Sequence, residues 1–381
     1  MNIVVGIFIG LIVLVFLVVV HELGHAIAAR RNGVGVEEFG IGFPPRAWAR
    51  KLKNGVLFTL NWLPIGGFVR LQGEYDSASE PGDYGAATFW QKTKIILAGV
   101  LINWVVAAVI LSVLAVTGLP KVIPNQFTVP GDTRIVNAPV EVVAVSSGTP
   151  ADKIGLKSGD QVLEFAGSSL DNSESLAELT EQHKGQAVNI KISNAAGVED
   201  KQVTLRGDSS DGKGYLGASF GQRSFSHSTW SAPIVGVAVT GQMTGATFAG
   251  IGSMFGNLAK GLVQKVNFNS EVRDQGSESI KQAGEGVAGP VSIIGVLFPA
   301  AEKAGITQLA LLTAIISLSL AVVNVLPIPA LDGGRWYTMA IFKLLRKKLT
   351  KSREEVIQTV GFLVILGLIV LVTIVDIGRL M

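Results

Sequence analysis

Residues 18–27 read VVVHELGHAI. His21, Glu22 and His25 stand inside a stretch that is otherwise apolar from Ile3 to Ala29. On a helix, positions i and i+4 share a face, so His21 and His25 can both reach one zinc ion. Glu22 is offset around the helix, where it can take a proton from an attacking water. Ionisable groups inside a membrane span cost about 2.5–3.5 kcal/mol each on insertion scales and usually mark function. The plainer alternative is a pair of interfacial histidines near a helix end, with Glu22 turned toward a neighbouring helix.

Catalytic zinc commonly has three protein ligands and one open position. The chain has no cysteine, and its other histidines, His183 and His227, lie outside the apolar spans. A carboxylate is therefore expected. The stretch NVLPIPALDGGR, residues 324–335, offers Asp332 just after another apolar run. Pro327 and Pro329 prevent a regular helix there, and irregular backbone at membrane depth is tolerated only where it is buried in protein or lines a wet cavity. Taken alone, Asp332-Gly333 reads as a turn; with the histidine motif on the matching side it reads as the third ligand. Glu74 is the weaker substitute. Asn324 is an amide at membrane depth and must find partners.

Four stretches are long enough to span: Ile3–Ala29, Ile95–Thr117, Leu309–Val325 and Ile357–Val375. The composition agrees, with 48% hydrophobic and only 16% charged residues. A net charge of +3 gives no reason to expect nucleic acid. The first run lacks a basic n-region and a small-residue cleavage site, so it reads as a retained span and not as a signal peptide. Residues 34–74 alternate, are rich in glycine and aromatics, and carry the hairpin signal Asn54-Gly55. They predict strands at the membrane surface. VEVVAV, QVLEF and AVNIKI predict strands of a small α+β domain, with a helix at Ser173–His183. Residues 233–264 are apolar but scattered with Gly, Thr, Ser and Gln, and predict an interfacial amphipathic helix. The expected fold is a polytopic α-helical membrane protein of about four spans. A membrane-associated β segment and an inserted α+β domain complete it. The expected divisions are 1–30, 31–90, 91–118, 119–224, 225–305, 306–353 and 354–381.

Basic residues collect in cytoplasmic loops. Arg30, Arg31, Arg46 and Arg50 follow the first span, and Lys343, Arg346, Lys347 and Lys348 follow the third. Four spans place both clusters in the cytoplasm and the soluble domain outside.

HELGHAIAAR and NVLPIPALDGGR together resemble the motifs of the site-2 protease family of intramembrane zinc metalloproteases. The likeness is to the bacterial branch that includes the regulator-of-sigma-E protease. VEEFGIGFPP, LPIGGFVRLQGE, AGVLINW and AGPVSI (288–293) are further matches, and the resemblance covers most of the chain. Pro44 stands where the family usually has Gly, and Val100 where it has Pro. SSGTPADKIGLKSGDQVLEFAG, 146–167, resembles the segment that marks PDZ domains of bacterial proteases, with Pro150, Gly155, Leu156, Gly159 and Asp160 on the pattern. Relatives often carry two such domains; this chain has room for one.

The resemblance implies Zn2+ held by His21, His25 and Asp332, with Glu22 catalytic. It implies that Asn324 lies near the substrate or the oxyanion, and that Gly66 and Gly67 belong to a β segment that holds an unwound substrate strand. The reaction would be peptide hydrolysis inside the spans of single-span membrane proteins, such as an anti-sigma factor or a remnant signal peptide. The enzyme would sit in a bacterial plasma membrane. The PDZ-like domain would bind a peptide or filter substrates outside the cytoplasm. A membrane metal transporter or sensor, and an inactive PDZ scaffold, are the alternatives. The first leaves Glu22 without a role; the second predicts a damaged motif, and the motif is intact.

Overall fold

A helix that is apolar on every face belongs either in a core or in lipid. Helix α1 (Ile3–Arg31) is of this kind, and Ile3, Phe8, Ile12 and Phe16 all stay exposed. Strands β1 (Val36–Lys51) and β2 (Leu57–Leu71) follow, then a second apolar helix, α2 (Phe89–Thr117). Next come β3 (Leu119–Pro120), β4 (Arg134–Asn137), β5 (Val140–Val145), α3 (Pro150–Lys153), β6 (Gln161–Phe165) and β7 (Ser168–Ser169). Helix α4 (Ser173–Gln182), β8 (Ala187–Asn194), β9 (Gly197–Thr204), β10 (Ala218–Gly221) and β11 (Ser224–His227) end this polar stretch. Helices α5 (Ala232–Lys265), α6 (Ser270–Glu285) and α7 (Pro290–Ser292) lead through a π-helical turn, Ile293–Leu297, into α8 (Phe298–Ala304). Helices α9 (Ile306–Val325), α10 (Asp332–Leu344) and α11 (Lys351–Leu380) complete the chain. This computed structural model describes residues 3–170, 172–194, 197–267, 269–285 and 289–380. Ala288, where the AGPVSI match begins, lies outside them. The chain forms two compact units, 1–114 with 233–381, and 115–232.

In the first unit, glycines set how closely the helices approach. A Cβ on Gly24 would stand 2.7 Å from the Ala98 carbonyl oxygen, so α1 and α2 touch backbone to backbone. The contacts run in opposite senses, Gly24 against Ala98 and His21 against Asn103, so α2 is antiparallel to α1. Helix α9 runs parallel to α1. Phe298 packs on Gly10, Ile316 joins Leu17 in one buried cluster, and Asp332 meets His21 and His25.

Strands β1 and β2 turn at Gly55, whose φ of 87° suits glycine. Both strands bend, so residues 38–41 pair with 67–70 on one side and with 57–60 on the other, while 46–51 pair with 57–61. The ribbon becomes four paired segments with 67–71 at one edge.

The stretch 233–264, expected to be a helix, lies in α5, a 34-residue helix that is, by length and composition, one of five among the described residues long and apolar enough to cross a membrane. Its small and polar residues dilute the apolar run without breaking the helix. Gly236 packs on Ser112 and Thr244 meets Trp104, so α5 descends along α2. Gly261 and Gly276 then seat α6 antiparallel on α5, with Ser279 Oγ donating to Gln264. The chain leaves α2 at the Gly6 end of α1 and enters α9 at that same end. Helices α5 and α6 therefore form an antiparallel hairpin.

The second unit is a polar α+β domain. A sheet in the order β10-β5-β6-β8-β9, with β7 on β6, packs on α4, and a second sheet has the order β3-β11-β4. Val142, Leu156, Phe165, Leu176, Ile190 and Ile192 form the core of the first. Gly159, at φ 96°, turns the chain into β6, while the Asp160 carboxylate accepts the Lys157 N–H at 2.8 Å. Asp132 accepts from the backbone N–H of Thr229 and Ser231 and from both hydroxyls. The bonds from Ser231 and Thr229 hold its carboxyl down, to a pKa of about 2.

Candidate metal centre and active site

Helix α1 puts His21 and His25 on one face, and α9 ends so that Asp332 comes up opposite them. The turn that delivers Asp332 folds tightly. Ala330 adopts a φ of 75°, and a Cβ on Gly333 or Gly334 would fall within 2.2 Å of the Val325 or 2.0 Å of the Ile328 carbonyl oxygen. No other residue type fits there, which is why two glycines follow the aspartate. Helix α11 braces the turn: Gln358 accepts the Ala330 N–H at 2.7 Å, and Gly361 lies flat on Pro329.

His21 Nε2 and His25 Nε2 lie 3.1 and 3.2 Å from Asp332 Oδ2, and 3.2 Å from each other. His25 Nδ1 donates to the Ile95 carbonyl oxygen at 2.8 Å, which leaves a lone pair on its Nε2. Lone-pair atoms thus converge on one point, and Asp332 Oδ2 is buried without a hydrogen-bond donor among the described residues. Such an arrangement repels itself unless a cation sits within it. Ligands at about 2.0–2.1 Å from a tetrahedral zinc stand about 3.3 Å apart, the spacing seen here. The residues fit the metal.

Two residues that sequence reasoning did not single out complete the centre, both from α2. A Cβ on Gly99 would lie 2.4 Å from His25 Nε2 and 2.8 Å from His21 Nε2, so Gly99 keeps the metal position open. Asn103, fully buried, faces His21 Nδ1 through its amide at 3.3 Å, and its Oδ1 has no partner. With Nε2 turned to the metal, Nδ1 carries the proton. Turning the Asn103 amide over then lets Oδ1 accept it, satisfying both groups at once. Ser317 on α9 donates to the Asn103 backbone oxygen at 2.8 Å and ties the three helices together at this depth. An asparagine in an apolar span is itself the signal, by the reasoning that singled out Asn324.

Glu22 borders a cavity of about 130 Å³ that Asp332, His25, Glu74, Tyr84 and Arg335 also line. This is polar and roomy enough for water. Tyr84 is 1% exposed; its burial pushes the phenol pKa up, so it remains a neutral hydroxyl. Glu74, the substitute ligand, stands 3.4 Å from Arg335 instead, outside the histidine–aspartate group. Gly67 lies against Glu22, its Cβ position 3.5 Å from the Glu22 Cγ, and Gly66 has a φ of 88° with Phe43 over it. Asn324 is half-buried near the end of α9 and is not one of the three converging residues. His183 and His227 lie in the second unit.

The chain matches the model of peptidase family M50 over residues 9–368. An inferred zinc metalloprotease of Clostridium perfringens is 31% identical over 95% of both chains. One from Clostridium acetobutylicum is 28% identical over 95% of this chain and 94% of its own. An inferred membrane metalloprotease of Arabidopsis chloroplasts is 29% identical over 93% of this chain and 76% of its own. The solved PDZ domain of an SdrC-like protein from Listeria innocua is 28% identical over 22% of this chain and 93% of that one, with a TM-score of 0.20. At that score its fold carries no argument. Apolar helices, a zinc-fitting centre and a family match over nearly the whole length make one conclusion: the chain belongs to peptidase family M50, the site-2 protease family of membrane zinc metalloproteases.

Proposed function

We propose that the protein cleaves peptide bonds within the membrane-spanning segments of single-span proteins. The observation that carries this is the placement of the centre. His21, His25 and Asp332 converge amid three apolar helices, with Glu22 on the adjoining cavity. Bound zinc supplies a Lewis acid that lowers the pKa of a water toward about 7 and polarises a carbonyl. Glu22 then accepts the proton of the attacking water and returns it to the leaving amine. Gly99 and Asn103 keep the histidines in place for this.

A substrate helix hides its carbonyls in hydrogen bonds and must unwind to be cut. The edge segment 67–71 lies beside Glu22, so an unwound strand can add to it. Gly66 and Gly67 let that strand approach closely. Asn324, eight residues before Asp332 and near the end of α9, takes the side of the substrate or oxyanion. The basic clusters after α1 and α10 argue that the zinc end faces the cytoplasm of a bacterial cell and the PDZ-like domain the other side. There the domain screens substrates by size or holds a trimmed peptide end. Anti-sigma factors and remnant signal peptides have the required single span.

Membrane fragments compared in cells carrying the wild type or Glu22→Gln test this reading. Intact single-span proteins should accumulate with the variant, and their juxtamembrane fragments should disappear. Identical fragment profiles would refute it.

A further inference from the structure

At the zinc end of the first unit, away from the metal centre, lies a cavity of about 490 Å³. It is framed by the start of α2, the end of α10 and the turn into α11. Lys92, Lys343, Lys347 and Lys348 line it, and Ser77, Ser79 and Thr350 add hydroxyls. Lys92 is paired with Asp76. The ammonium groups of Lys343, Lys347 and Lys348 form no ion pair among the described residues. Lys343 rests 3.9 Å from the centroid of the Phe89 ring, which orients it while leaving its charge unneutralised. The lining therefore carries an excess of three positive charges.

Next in sequence to lining residues Phe89 and Lys343 stand large apolar side chains that are exposed. Leu344 is 82% exposed, Trp90 69% and Leu345 56%. Large apolar side chains left in water beside unpaired lysines are costly to a soluble surface but suit a bilayer border, where tryptophan collects and the acyl chains begin. A soluble anion would satisfy the lysines and leave that rim uncovered. One ligand class meets both: a phosphate ester carrying acyl chains. We infer that this cavity binds the headgroup of an anionic glycerophospholipid, with its chains lying over Trp90, Leu344 and Leu345.

The location gives the site a consequence. Helix α10 begins at Asp332 and ends at the cavity, and Asp76 and Lys92 on its far wall belong to the loop network that holds Arg335. A bound headgroup would thus anchor the helix that carries the third candidate ligand.

The test uses the purified full-length protein in detergent, with short-chain phosphatidylglycerol, short-chain phosphatidylcholine and inorganic phosphate as probes and native mass spectrometry as the readout. A basic residue at an anionic surface contributes about a factor of five. The K343Q/K347Q/K348Q variant should therefore lose phosphatidylglycerol binding at least tenfold. A control that removes equal charge elsewhere, R50Q/K51Q/K53Q, should lose less than twofold. Equal losses in the two variants would mean diffuse attraction and overturn the site. Phosphatidylcholine bound as tightly as phosphatidylglycerol would overturn the anionic preference, and inorganic phosphate bound as tightly would overturn the lipid. Should the triple variant fail to fold, K347Q/K348Q, both fully on the surface, takes its place with a threefold or greater loss expected and the same overturning outcomes.

Discussion

Gly99 decides how closely α2 can pass beneath the two histidines. Replacing it with Val should empty the centre, because even a single added carbon would stand 2.4 Å from His25 Nε2. Zinc content of the purified variant by metal analysis is the check, and full occupancy would refute the assignment. Asn103→Leu keeps the volume and removes the acceptor for the His21 Nδ1 proton. Partners of this kind are typically worth 10–100-fold in metal affinity. A competing chelator should therefore strip zinc from the variant at a concentration lower by about that factor. The histidines, Glu22 and Asp332 were legible in the sequence because their chemistry is written in residue type and spacing. Gly99 and Asn103 are not legible in this way, although AGVLINW as a unit resembles a family segment. Their roles depend on which face of α2 meets α1, and a helix apolar all round gives no periodic sign of that face.

Among the elements, those with one strong physical signature were the readable ones. Length and apolarity fixed the spans, and Asn54-Gly55 fixed the hairpin turn. Strands VEVVAV and QVLEF fall on β5 and β6, and AVNIKI opens β8. Helix α10 was hidden because its first turn holds two glycines, ordinarily a break signal; here they let the helix start against the carbonyls of its own turn. Helix α6 was hidden because it is polar and gains its place only by packing on α5. The turn at Asp332 is held further by Arg335, which reaches Glu74 and the buried Glu354, while Glu354 also accepts the Asp76 N–H at 2.9 Å. Glu354→Leu strands Arg335 with a weaker partner and should cost about 3 kcal/mol, seen as a lower unfolding temperature in detergent. In the second unit Asp132 gives a pH signature. Its carboxyl is held below the unfolded value of about 4, so its contribution is complete above that value and is lost as pH falls toward about 2. The difference in unfolding temperature between wild type and Asp132→Asn should be constant above pH 5 and shrink below pH 4. A difference that grows on acidification would contradict the sign.

The whole molecule joins a zinc-fitting centre in apolar helices to a polar domain of 118 residues, 115–232. The basic clusters after α1 and α10 make its sidedness testable: a reporter within 190–200 should face away from the cytoplasm and one near 350 should face it. Both on one side would mean that α5 crosses. Deleting 127–222 across a flexible linker should leave zinc bound while admitting substrates that are normally refused. The inserted polar domain was readable from composition, whereas the α5–α6 hairpin needed the structure, because only helix contacts reveal it. The central claim is that zinc held by His21, His25 and Asp332, with Glu22 as base, cuts a peptide bond inside the bilayer. The most direct test reconstitutes the purified enzyme in vesicles with a single-span substrate and maps the cut by mass spectrometry, measuring zinc in the same samples. Wild type should cut within the substrate's span, and Glu22→Gln should hold the same zinc and cut nothing. Cleavage by Glu22→Gln at near wild-type rate, or a cut confined to residues outside the span, would contradict the account.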